Sequence, residues 1–117
     1  MHIIFGQDRA EELKDRYMIL ELDTIRVEAE DSVSTAYCVI ERIAIEDLPT
    51  ADDTRKLHEK LMESYRAQDW DYCETALASL MGKWNGEVDS FYVELQNRIA
   101  NFRKNPPGTD WNAILIR

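Results

Sequence analysis

Two histidines, two cysteines and a surplus of carboxylates are the residues through which this chain could do chemistry. His2 and His58 have no cysteine or second histidine at metal-ligand spacing, so neither a metal site nor another cofactor is expected. Cys38 falls in a predicted strand and Cys73 in a predicted helix, and lone cysteines in such elements are buried, reduced and inert. His58 lies between Leu57 and Leu61 on a predicted helix, which suits a packed or half-exposed imidazole better than a general base. Glu11-Glu12, Asp52-Asp53 and Asp69/Asp71 stand at predicted helix starts, where acidic side chains meet the positive end of the backbone dipole and act as caps. A carboxylate pair working as acid and base needs an apolar pocket to separate its pKa values. An enzyme would require Asp23, Glu41 or His58 to converge. No glycine-rich nucleotide loop, nucleophile elbow, H-E-x-x-H or C-x-x-C is present, so no catalytic residue is assigned.

The aromatic residues are the second set with potential. Trp70, Tyr72, Trp84, Phe91, Tyr92 and Phe102 could form a stacking platform, but their helical spacing marks them as core. Of these, Tyr72 and Tyr92 are the candidates for an exposed protein-binding surface.

The elements that must position these groups follow from hydrophobic period. Trp70, Cys73, Leu77, Leu80, Met81 and Trp84 recur three or four apart, and after Asn85-Gly86 the spacing resumes at Val88, Phe91, Tyr92, Leu95, Ile99 and Phe102. Two amphipathic helices therefore meet at a tight corner. Leu57, Leu61 and Tyr65 predict a helix before them, capped by Thr50 or Asp52. Pro106-Pro107-Gly108 stops the last helix, because proline lacks the backbone donor and pushes Asn105 out of helical dihedrals. The tail Trp111–Ile116 is apolar and is expected to fold back across the helices with Trp111 as its anchor.

The N-terminal half reads as strand. His2–Phe5 is a short β-type run closed by Gly6, and Asp8 with Glu11 predicts a capping box opening a helix with Ala10, Leu13 and Tyr17 on its apolar face. Tyr17–Glu28 alternates, with a phase slip at Asp23-Thr24 that predicts a bulge. Val33–Glu46 is the clearest strand: Val33, Thr35, Tyr37, Val39, Ile43 and Ile45 share one face, with Ser34, Arg42 and Ala44 opposite. Leu48-Pro49 ends it.

At 117 residues and 44% apolar composition the chain fits one soluble domain that buries a core without metal or disulfides. The formal charge of −9, from 23 acidic against 14 basic side chains, argues against nucleic-acid partners. No apolar run approaches the roughly 20 residues of a membrane helix, and Met1–Gly6 is too short for a signal peptide, so a cytoplasmic location is expected.

Several motifs in order also resemble a known family. Phe5-Gly6-Gln7, Leu13-Lys14-Asp15-Arg16-Tyr17, Glu21-Leu22-Asp23-Thr24-Ile25-Arg26-Val27 and Ala36-Tyr37-Cys38-Val39-Ile40 resemble the last strand, helix and hairpin of class III adenylate/guanylate cyclase domains. Tyr65-Arg66-Ala67-Gln68-Asp69-Trp70, Ala76 and Pro106–Ile114 are similar to the helical tail that follows this domain in many bacterial members. The family's metal-binding aspartates, purine-selecting residues and transition-state asparagine and arginine all precede the matched region, and none can be placed on this sequence. Its Val-Lys-Gly triplet is altered here to Val27-Glu28-Ala29, so the resemblance implies a cyclase C-terminal end without cyclase activity.

The expected architecture is α+β: a single domain over 1–117, with a β-rich lobe at 1–49 and a helical lobe at 50–117. A small antiparallel sheet of about three strands with one helix packs on a three-helix, TPR-like lobe. The expected function is a non-catalytic protein-interaction module whose binding surface is the concave side of the helices or the free edge of the sheet, and which modulates a signalling enzyme or forms a homodimer through that edge. The alternative is an acidic inhibitor that occupies a basic site on a partner protein.

Overall fold

A computed structural model of the chain describes residues 1–41 and 47–116. Among them the elements run β1 (His2–Phe5), α1 (Gln7–Leu13), β2 (Met18–Val27), β3 (Ser32–Ile40), α2 (Leu48–Arg66), α3 (Trp70–Leu80), α4 (Asp89–Lys104) and β4 (Ile114–Ile116). The class is α+β, with a four-stranded mixed sheet and four helices. The chain divides into two compact units, Met1–Arg55 with Ala113–Arg117, and Lys56–Asn112.

The first unit is built on the sheet, in the order β1-β3-β2-β4. β2 and β3 pair antiparallel from Met18↔Ile40 to Glu21↔Tyr37 and again from Thr24↔Thr35 to Val27↔Ser32. The register shift between Glu21 and Thr24 is the bulge that the slip at Asp23-Thr24 predicts. It reverses which side of β2 faces the core, and it lets Leu20, Leu22 and Asp23 all be buried. β3 contributes Ala36, Cys38, Val39 and Ile40 to the buried set. The strand expected to run to Glu46 ends at Ile40; Arg42, Ile43, Ala44 and Ile45 lie outside the described residues.

Three expectations for this unit are corrected. The Asp8–Glu11 capping box does not form: Gly6, at φ 96°, is the N-cap of α1, with no side-chain cap bond, and Glu11 pairs with Lys14 instead. Gly6 is held in place by its N–H, which donates to the Thr35 carbonyl at 2.9 Å, so the helix starts one residue before Asp8. Thr50 and Asp52 do not cap α2, which already begins at Leu48. Pro49 sits in its first turn, where a missing N–H costs nothing. The third correction adds a strand: Ile114–Ile116 does not fold across the helices but pairs parallel to β2, Thr24↔Ile114 to Arg26↔Ile116. This satisfies backbone groups that β2 would otherwise leave open at that edge, and makes the sheet mixed.

The second unit is helical. Leu61, Met62 and Tyr65 of α2, Cys73, Ala76, Leu77 and Leu80 of α3, and Phe91, Tyr92, Leu95 and Ile99 of α4 are buried, the three-and-four spacing read from the sequence. Asp69 caps α3 by accepting the Tyr72 N–H at 3.3 Å. The corner between α3 and α4 needs left-handed backbone at Gly82 (φ 80°), Asn85 (φ 55°) and Gly86 (φ 81°). Asp89 locks it by accepting the Gly82 N–H at 2.8 Å. α4 ends at Lys104, with Asn105 extended ahead of Pro106 as expected.

Candidate functional site

The residues with chemical potential are drawn into structural contacts. His58 is fully buried, and its Nδ1 lies 2.9 Å from the Tyr92 hydroxyl. The same hydroxyl accepts the indole N–H of Trp84 at 3.1 Å. Helix period explains the convergence: His58 sits one turn before Leu61 and Met62 on the inner face of α2, and Tyr92 lies one residue after Phe91 on the inner face of α4. A phenol hydroxyl offers one proton and two lone pairs, so one oxygen can serve both rings. Tyr92 is thus not on a surface, contrary to the sequence expectation. Its ring fills the core, and its polar tip is satisfied from within.

Tyr72 is half-buried on α3, with the Lys60 ammonium 5.2 Å from its ring centroid. This is a cation–π contact at the surface. Cys73 is buried, and its thiol faces the Leu61 carbonyl at 3.9 Å. Burial pushes this thiol up to about 12, with Asp69 and Glu74 adding in the same direction, so the nucleophilic thiolate is suppressed.

The remaining aromatics form a second cluster. Trp70 stacks on Phe102 with centroids 5.3 Å apart and planes 21° apart. Trp111 meets Tyr65 at 5.3 Å and Phe102 at 5.1 Å, both edge-on. The Gln68 amide donates to the Gly108 carbonyl at 2.6 Å and holds the tail beside this cluster. Trp111 is therefore the anchor expected of it. Trp84 is buried, whereas Trp70 is only half-buried because its outer side is open.

Several charged groups are paired on the surface. Arg103 bridges Asp71 at 2.7 Å and Glu74, and these carboxylates raise its pKa. The open cleft beside them, about 400 Å³ and lined by Glu74, Gln96, Ile99, Ala100 and Arg103, offers a ligand charges that are already matched. His2 pairs with Glu41 at 2.6 Å on the exposed end of the sheet. Asp23 lies at the bulge, five residues along β2 from Met18, which faces Ile40 next to Glu41. At the rise of a strand that separates the two carboxylates by on the order of 15 Å. His58 belongs to the other unit. Among the described residues, no group of three or more His, Cys, Asp or Glu side chains is placed to hold a metal ion.

The sequence anticipates a free sheet edge without saying which strand forms it; the outer edge of β1 is one such edge. β1 is the last strand of the sheet on that side, and it exposes Ile3 at 42% and Phe5 at 59%. These two share a face, opposite Cys38 and Ala36. The signal was present in His2-Ile3-Ile4-Phe5, four residues without a carboxylate, lysine or proline. Which side of the strand stays open is a tertiary fact. No protein-family model, curated protein or solved structure matches this chain.

Proposed function

We propose that the chain is a non-catalytic protein-interaction module of the cytoplasm, and that the outer edge of β1 is its contact surface. The supporting observation is the exposure of Ile3 and Phe5 on a strand with no described neighbour beyond it. Edge strands that must stay alone are kept very short or carry lysine, proline, a bulge or an inward charge. β1 is short, at four residues, but carries none of the other devices, and its pairing with β3 runs without a register shift. Main-chain donors and acceptors at such an edge give affinity, and alternate side chains give specificity. The helical unit, read as a TPR-like arrangement, serves as the scaffold, and the cyclase-like motifs extend the proposal to the modulation of a signalling enzyme.

The test is an affinity pull-down with mass spectrometry from the native host, comparing wild type with Phe5→Lys. Proteins retained by the wild type and lost from the variant are expected. Identical retention by both removes β1 from the account.

A second reading is favoured by the net charge of −9: an acidic inhibitor seated in a basic site of another protein. Such binding weakens steeply with added salt, whereas edge pairing does not.

A further inference from the structure

We propose, building on the edge-strand reading above, that the occupant of the β1 edge is β1 of a second copy of this chain. The two strands run antiparallel about a twofold axis that passes through Ile4 and stands normal to the sheet. The direction of the backbone groups selects this arrangement. The Gly6 N–H points to β3, donating to Thr35. Backbone groups alternate along a strand, so His2 and Ile4 also bond toward β3, while Ile3 and Phe5 turn their N–H and C=O outward.

A twofold axis normal to a sheet keeps each residue and its copy on the same face. Residues opposed across an antiparallel seam must also share a face, so the opposed numbers must add to an even sum. The outward groups impose the same parity, because only odd residues can bond across the seam. The centred register sets Ile3 opposite Phe5 of the second copy, and Ile4 opposite itself. Ile3 and Phe5 then exchange both hydrogen bonds at each end, four in all, and the two most exposed apolar side chains of β1 cover one another.

The charges along the seam agree with this register. His2 falls opposite Gly6 of the second copy, where the strand gives way to α1, so no carboxylate faces a carboxylate along the seam. The other edge of the sheet is β4, which offers only three residues. Two copies of charge −9 repel at long range, so salt tightens this contact. A strand of four residues buries far less than a standard interface, which makes the dimer weak, with dissociation on the order of 100 µM.

The test combines sedimentation equilibrium with cross-linking. Wild type is expected to dimerise between about 10 µM and 1 mM, several-fold more tightly in 0.3 M salt than in 0.02 M salt. Phe5→Lys is expected to lose at least tenfold in affinity. Ile4→Cys places two sulfurs at a non-hydrogen-bonded pair whose Cα atoms are about 4.5 Å apart, within disulfide range, and is expected to cross-link under mild oxidation. Ile3→Cys, one residue off the axis, is expected to stay reduced. Wild type that remains monomeric at 1 mM overturns the dimer, as does cross-linking of Ile3→Cys in preference to Ile4→Cys. Neither result removes the interaction surface itself. That reading falls only if Phe5→Lys also retains every protein captured by the wild type.

Discussion

Replacing Tyr92 by phenylalanine deletes a single oxygen from the centre of the helical unit. That oxygen accepts the Trp84 N–H at 3.1 Å and lies 2.9 Å from His58 Nδ1, and all three side chains are buried. The ring stays, so almost no apolar contact is lost. The cost comes from the groups left behind: about 1–3 kcal/mol for the indole N–H and about 1 kcal/mol for the lost bond to His58. Together they destabilise the fold by roughly 2–4 kcal/mol. With a urea slope of about 1–3 kcal/mol per molar, the midpoint should fall by at least about 0.7 M. Tryptophan fluorescence suits the assay because Trp70, Trp84 and Trp111 all lie in the helical unit. A double-mutant cycle with Trp84→Phe sharpens the test. Once the indole is gone, Tyr92→Phe orphans no N–H, and its cost should drop by about 1–3 kcal/mol. A single-mutant cost below about 0.5 kcal/mol, or strictly additive costs, would refute the account of Tyr92 as a shared hydrogen-bond centre.

Four further outcomes are expected. Cys73, with its thiol pushed up to about 12, should resist a disulfide reagent at pH 8 in the folded protein and react fully in urea, followed by absorbance of the released thiolate. Because the folded value is raised above that of the unfolded thiol, this stabilisation is complete below about pH 8.5 and is lost as pH rises toward 12, so urea midpoints should fall between pH 8 and pH 10.5. Trp111→Ala removes the edge-on contacts with Tyr65 and Phe102 and should cost about 2 kcal/mol, less than a fully buried tryptophan, read by urea unfolding. Gly82→Ala meets no atom within 4 Å but forces φ 80° on an L-residue, so about 1–2 kcal/mol is expected from backbone strain alone, measured by thermal unfolding.

The edge-strand proposal and the acidic-inhibitor proposal make different demands on the same molecule. An inhibitor of a basic site binds through carboxylates and weakens with salt, whereas a β1 seam contains no carboxylate and strengthens with it. Salt dependence therefore separates the two readings before any partner is identified.

Local patterns in the sequence determined most of the elements. The three-and-four spacing from Leu57 to Phe102 placed the helices, because burial of one stripe is a property of consecutive turns. The slip at Asp23-Thr24 located the bulge, and Pro106 located the end of α4, because alternation and a missing N–H act on the nearest residues alone. Tertiary structure decided what depends on distant neighbours. Tyr92 lay on the apolar stripe, but its hydroxyl suited either water or the core, and the buried partners Trp84 and His58, the latter 34 residues away, made the core the better place. Ile114–Ile116 became a strand because β2 had an open edge ninety residues earlier in the chain, a pairing that three residues cannot announce. The exposed edge of β1 has the same origin: a strand's composition is local, but which of its sides finds a partner is fixed only when the sheet is assembled.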